Sequence, residues 1–242
     1  MTIPYKSSVI YGPISSRRLG RSLGLNLLPL NDKVCSFDCI YCQYGRTRSL
    51  TGEFLKGDEI LVEIERALRA NHELDHITFS GNGEPMLHPE FARIVAGTRK
   101  LRDAIHPHVP IAILTNGTEF SNDEKREALK LIDKVIVKID CGDEESFRRI
   151  NRPLRTTTFK EHLAVIQSGG PNYIQTLFFR ESLKYLDQWY RVIETFGKVC
   201  EVQLYTLDRP TEHDLIPLTI EELKEIANRR LRVRINCYHR GV

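Results

Sequence analysis

Apolar and polar positions along the chain follow two periods in alternation. Asp58 can cap a helix in which Ile60, Ile64, Ala67 and Leu68 share one face. HITFSGNG (76–83) is then a short continuous apolar run that stops at glycines, which predicts a strand. Pro89 fits the first turn of a second helix, with Phe91, Ile94 and Val95 on its buried side. The apolar run returns in VPIAILTNG (109–117), KVIVKID (134–140), YIQTLFF (173–179), CEVQLYT (200–206) and RVRINCY (232–238), the last as an edge strand. Between these runs, Ser121/Glu124, Thr158/Glu161 and Thr219/Glu222 have the spacing of capping boxes. A helix around 184–196 carries Leu186, Trp189, Tyr190 and Ile193.

Strands continuous in Val, Ile and Leu, separated by amphipathic helices, indicate a parallel sheet covered by helices. With RSLGLNLL (21–28) as the first strand there are about six βα units, short of the eight that close a barrel. The predicted fold is therefore α/β, an open partial (β/α)6 barrel, with a doubly wound parallel sheet as the alternative. Either places ligands at the carboxyl ends of the strands: GNGEP, TNG, KID, the segment after Phe179, and TLDRP. A chain of 242 residues with 41% hydrophobic and 28% charged residues can bury such a core without disulfide staples, and one domain over 1–242 is expected.

The net charge of +3 neither demands nor excludes an anionic partner. The first residues form no secretory pattern, and no stretch approaches the ~20 apolar residues that span a bilayer. The chain reads as cytosolic, with no membrane partner. In that compartment thiols stay reduced, so clustered cysteines point to metal or redox chemistry. Of six cysteines, Cys35, Cys39 and Cys42 fall within eight residues, whereas Cys141, Cys200 and Cys237 stand alone and the last two read as core residues.

Three closely spaced thiolates can hold three irons of a four-iron cubane cluster and leave the fourth iron open to a small chelating molecule. A structural zinc site wants four ligands, and the nearest histidine to the motif is His72. A haem attachment site wants His where Gln43 stands. A thioredoxin-like reading of Cys39-Ile-Tyr-Cys42 leaves Cys35 without a role.

The CxxxCxxC motif with Tyr41 before its last cysteine resembles the radical S-adenosylmethionine superfamily, and GNGEP (81–85) resembles that superfamily's glycine-rich motif. A closer resemblance is to the wyosine-synthetase-like iron–sulfur oxidoreductases. It runs through GPISSRRLGRSLGLNLLP, VCSFDCIYCQYGRT, FSGNGEPMLHPEF, LTNGT, GDEESFRRINRP and VQLYTLDRP. The resemblance implies a [4Fe–4S] cluster on Cys35, Cys39 and Cys42, with S-adenosylmethionine chelated to the open iron. It implies reductive cleavage to a 5′-deoxyadenosyl radical that abstracts a substrate hydrogen. A one-electron donor such as a flavodoxin or ferredoxin is implied as partner.

By the same resemblance, Gly81, Asn82, Gly83, Glu84 and Pro85 line the methionine end, and a side chain at Gly83 is expected to cost cofactor affinity while sparing iron. Tyr41 is expected near the adenine or simply packed in its loop. Thr115 and Asn116 end the third predicted strand. Lys138 and Asp140 share one side of the fourth, either to contact S-adenosylmethionine or as an internal ion pair. Cys141 is a small buried residue or a hydrogen-atom donor. Arginines at 17, 18, 21, 46 and 48, and at 148, 149, 152 and 155, could hold an anionic substrate or form a solvated face. Three functions follow. The first is radical modification of a nucleoside in tRNA, although no cysteine precedes Cys35 to build the second cluster of the wyosine enzyme. The second is a radical enzyme on a small metabolite or a protein, as in a glycyl-radical activase. The third is a non-enzymatic electron carrier.

Overall fold

The apolar runs are strands and the amphipathic stretches between them are helices in a computed structural model that describes residues 2–197, 199, 201–229 and 231–239. The chain divides into two compact units, one of residues 5–35 and 48–135, the other of residues 1–4, 36–47 and 136–242.

In the first unit, β1 (Ile10–Ser16) and β2 (Gly20–Leu25) form an antiparallel hairpin. β2 then pairs in parallel with β3 (His76–Phe79), and β3 with β4 (Ile111–Thr115). Helix α1 (Gly57–Ala70) precedes β3, α2 (Phe91–Ile105) joins β3 to β4, and α3 (Asp123–Ala128) follows β4. The register Leu23↔Ile77↔Ile111 stacks three fully buried side chains, and Leu25↔Phe79↔Ile113 stacks three more. Ile60, Ile64 and Leu68 of α1 and Phe91, Ile94 and Val95 of α2 are fully buried too, as their spacing predicts. β1, which carries Gly12-Pro13, is not among the strands the sequence pattern predicts. Pro is tolerated there because β1 pairs on one side in this unit and its register shifts between Tyr11 and Ile14. The cap of α3 is Asn122, whose side chain accepts from Lys125 N, one residue past the predicted Ser121.

From Ile136 of β5 (Lys134–Lys138) the second unit runs through β6 (Tyr173–Phe178), β7 (Glu201–Thr206) and β8 (Ile235–Tyr238), all parallel, with register Val137↔Ile174↔Val202↔Ile235. A single turn α4 (Glu144–Ser146) leads into a π-helical turn, Phe147–Asn151. The helices that follow are α5 (Phe159–Gly169), α6 (Leu186–Glu194) and α7 (Ile220–Ala227). The predicted capping boxes at Thr158/Glu161 and Thr219/Glu222 both form. Trp189 of α6 is fully buried edge-on to Phe178, and its indole N–H reaches Ile139 O at 3.1 Å. Cys237 is half-buried, and Cys200 lies outside the described residues. No helix among the described residues is long and apolar enough to cross a membrane.

Candidate active site

In the first unit the predicted residues gather beyond the ends of β3 and β4, around the segment that leads into Cys35. Val34 forms isolated bridges with Gly83 and Ser49. Its N–H donates to Asn82 O at 3.1 Å, and its carbonyl accepts from Glu84 N at 3.0 Å. Gly83 has φ 143°, and a Cβ there would lie 1.9 Å from Val34 O. The glycine is therefore needed for close approach to the chain before Cys35, and a side chain would displace that segment. A substitution at Gly83 therefore bears on the chain entering Cys35, a contact beyond the expected one with the cofactor. Gly81, at φ 131°, likewise lies tight against Asn26.

The two polar side chains of this motif are occupied by protein groups. Asn82 is fully buried; its amide donates to Lys6 O at 3.0 Å and Pro29 O at 2.9 Å, and accepts from Lys6 N at 2.7 Å. Glu84 accepts from Thr115 Oγ1 at 2.7 Å, Asn116 N at 2.7 Å and Met86 N at 3.1 Å. Burial pushes its carboxyl up to about 7, against those three hydrogen bonds. Pro85 opens the short 3-10 turn Pro85–Leu87. Asn116 in turn points its Nδ2 at Cys35 Sγ, 3.7 Å away. The motif is thus a brace that ties the ends of β3 and β4 to Cys35.

In the second unit, Cys39 and Cys42 sit on a chain of turns, with Cys42 N donating to Cys39 O and Gly45 N to Cys42 O, both at 3.0 Å. A cavity of 350 Å³ lies beside them, lined among others by Asp38, Arg46, Arg152 and His213. Lys138 and Asp140, predicted on one side of a strand, do meet. They form an ion pair at 3.0 Å in which Asp140 has no exposed side-chain surface. Lys138 also donates to Tyr205 OH at 2.9 Å and lies over the rings of Tyr41 and Tyr205. Burial alone would lower the lysine's pKa, but Asp140 and Tyr205 outweigh it and hold it raised. Asp140 further accepts from Tyr41 OH, Leu177 N and Asn151 Nδ2. Tyr41 is therefore bound to this network by both its hydroxyl and its ring. Cys141 is buried, and burial first, then Asp140, raises its thiol well above the ordinary range.

Asn151 was not singled out from the sequence, although it lies in the stretch GDEESFRRINRP. Its Nδ2 is 3.5 Å from Cys39 Sγ. Burial pushes the Cys39 thiol up to about 11, with Tyr41 and Asn151 pulling the other way. A bound cation is what would hold such a group as a thiolate. The three motif cysteines are thiols rather than disulfides, and two of them face an amide donor suited to an anionic sulfur. The donor set therefore fits a cluster ligated by thiolates. Among the described residues no three His, Cys, Asp or Glu side chains converge as a single ion would need; in a cubane each thiolate binds its own iron.

A family model described as the Radical SAM superfamily matches residues 33–230. A UPF0026 protein of Synechocystis sp. is 35% identical over 210 residues, which cover 83% of this chain and 76% of that protein. A protein of Brachyspira hyodysenteriae named GTPase Obg is 30% identical over 93% of this chain, and the chain spans only 33% of its length. Among solved structures, SuiB of Streptococcus suis bound to S-adenosylmethionine aligns with a TM-score of 0.65 at 12% identity, over 89% of this chain and 50% of that one. TYW1 with a lysine-pyruvate adduct bound aligns with a TM-score of 0.57 at 17% identity, over 86% of this chain and 72% of that one. These likenesses show the fold, the partial α/β barrel expected from the pattern of strands and helices. Enzymes of this class use a [4Fe–4S] cluster, S-adenosylmethionine, an electron donor and a substrate. With its cysteine motif inside the matched span, the chain belongs to the radical S-adenosylmethionine superfamily of enzymes and, within it, to the UPF0026 family.

Proposed function

We propose that Cys35, Cys39 and Cys42 ligate the [4Fe–4S] cluster in this chain, and that the chain abstracts a hydrogen atom from a nucleoside in RNA. The observation that carries the ligand assignment is the pair of amide donors on Cys35 and Cys39, placed as thiolates need them. When bound and reduced, the cluster supplies the electron that splits S-adenosylmethionine into methionine and a 5′-deoxyadenosyl radical. The protein's own part is to hold and shield. The brace at 81–85 fixes the entry to Cys35 and offers backbone carbonyls to the ammonium group of methionine, since its polar side chains are engaged elsewhere. Tyr41, Thr115, Asn116, Lys138 and Asp140 form the polar lining for the rest of that cofactor. Cys141 keeps its S–H at neutral pH, the state a hydrogen-atom donor requires.

The nucleoside reading is supported by the resemblance to wyosine synthetases and by Arg46 and Arg152 at the cavity beside Cys39 and Cys42, where guanidinium groups can take phosphates. A flavodoxin or ferredoxin would deliver the electron. The test is anaerobic reconstitution followed by reduction with S-adenosylmethionine present. About four irons per chain and formation of 5′-deoxyadenosine are expected, both lost in Cys35→Ala, Cys39→Ala and Cys42→Ala. A zinc-loaded native protein, or an equal requirement for Cys237, would refute the ligand assignment. Salt-independent or absent binding of tRNA would refute the nucleoside reading alone.

A further inference from the structure

Residues 37–40 run antiparallel to residues 150–153. Phe37 bridges Pro153, Asp38 N donates to Arg152 O at 3.0 Å, and Ile40 N donates to Ile150 O at 3.0 Å. This register sets Asn151 opposite Cys39. Asn151 is the last residue of the π-helical turn, a rare form that recurs at functional positions. Arg152, which follows it, is the one non-glycine residue with positive φ among the described residues, at 49°. Such a conformation persists only where its surroundings enforce it. Here it lets Arg152 reverse the chain and still offer its carbonyl to Asp38.

The side chain of Asn151 is 3% exposed, so its orientation is set by protein groups alone. Nδ2 lies 3.2 Å from Asp140 Oδ2, 3.4 Å from Tyr41 Oη and 3.5 Å from Cys39 Sγ. An amide can flip, and what surrounds it decides which end points where. Asp140 Oδ2 is an acceptor already engaged by Tyr41 OH, and it would repel the amide oxygen. The nitrogen therefore faces Asp140, and Cys39 receives an N–H rather than a lone pair. Asn116 shows the same logic in the other unit. Its Oδ1 accepts from Thr118 N at 3.0 Å and Thr118 Oγ1 at 2.8 Å, which fixes the amide with Nδ2 toward Cys35 Sγ.

We propose that Asn116 and Asn151 are positioning residues that each donate an amide N–H to one cluster thiolate, Cys35 and Cys39 respectively, and so set the reduction potential of the cluster. The proposal rests on the cluster reading given above. Adding an electron makes the cluster and its sulfurs more negative, and a donor aimed at sulfur stabilises that state. Both amides therefore make the cluster easier to reduce. Asn151, closer to its sulfur and more deeply buried, has the larger effect.

The test uses the full chain, reconstituted anaerobically, with Asn116→Leu, Asn151→Leu and the double variant. Each is poised with mediator dyes and followed by electron paramagnetic resonance. Iron content equal to the parent and a more negative midpoint potential are expected in both single variants, larger for Asn151→Leu and largest in the double. If Asn151→Leu does not fold, Asn151→Ala removes the same donor without adding bulk and carries the same expectation. An iron-loaded variant with the parent potential overturns the proposal. So does loss of iron from an apoprotein that melts as the parent does, which would make these residues part of cluster loading rather than tuning. Full iron retention in Cys39→Ala would instead sink the cluster reading itself.

Discussion

The two units hold their cysteines by different means. In the first, Cys35 is fixed mainly through backbone: Val34 is bonded on both sides to residues 82 and 84, with Gly83 pressed against its carbonyl. In the second, Cys39 faces a buried network of side chains, Asn151, Asp140, Tyr41 and Lys138. The backbone part of such a brace has no side chain to trim, so at Gly83 it fails by intrusion. A side-chain network fails by subtraction, and it can be taken apart one group at a time.

That contrast predicts a ranking. Gly83→Val should be the most damaging change, because the new side chain meets a carbonyl at 1.9 Å in a backbone conformation with φ 143°. A loss of about 4 kcal/mol or more is expected, read as a collapse in the melting temperature of the apoprotein together with loss of iron. Retention of iron with only weaker S-adenosylmethionine binding would show that the brace is a ligand contact instead. Next comes Asp140→Ala, which leaves the Lys138 ammonium group buried without its carboxylate. Breaking a buried pair from one side costs about 3 kcal/mol. Adding Lys138→Met to Asp140→Ala should recover part of that loss in denaturant unfolding, and additive losses would argue against coupling.

Acid and base should separate the units next. His162 is stacked on Phe147 at 5.2 Å in the second unit, and burial pushes it down to about 4. The unfolded chain binds that proton first, so the stabilisation is full above pH 6.5 and drains away as pH falls toward 4. Glu84 in the first unit has the opposite sign. Its raised carboxyl favours the folded state at low pH, and that contribution fades as pH rises from 4.5 through about 7. Each contribution is expected to be on the order of 3 kcal/mol across its window. His162→Phe should flatten the acid limb and Glu84→Gln the other; a variant profile parallel to the parent's would refute the assignment of that limb. The smallest effect belongs to Thr158→Ala, which removes the cap that Thr158 Oγ1 gives Glu161 N at 3.2 Å. About 1 kcal/mol should be lost, and a change within error would mean that the cap frays in solution.

What could be read from the sequence divides along a physical line. Thr158/Glu161 and Thr219/Glu222 were legible because capping chemistry acts over three residues. Ser121 was off by one because Asn122 is an equally good cap and Ser121 belongs to the preceding 3-10 turn. The shared side of Lys138 and Asp140 followed from strand periodicity, but the pattern could not tell an ion pair from a ligand contact. Asn151 was not legible as a partner of Cys39, because 112 residues separate them and only the register with residues 37–40 joins the two. Gly83 was recognised as a motif residue, yet what its missing side chain makes room for, Val34 O, is a tertiary fact.

The distance along the chain between Cys39 and Asn151 also sets a schedule for synthesis. Chains emerge from the ribosome N-terminus first. The groups described around Cys35, namely Gly83, Glu84, Asn116 and Thr118, have all been made once residue 118 is out. The partners of Cys39 are not, because residues 140 and 150–153 have yet to appear. A nascent chain halted between these points would carry Cys39 and Cys42 on a segment still lacking its partners at 150–153. Metal offered that early would meet cysteines of which two still lack the groups that position them. On the proposed ligand set, iron–sulfur loading is expected to follow completion of the second unit.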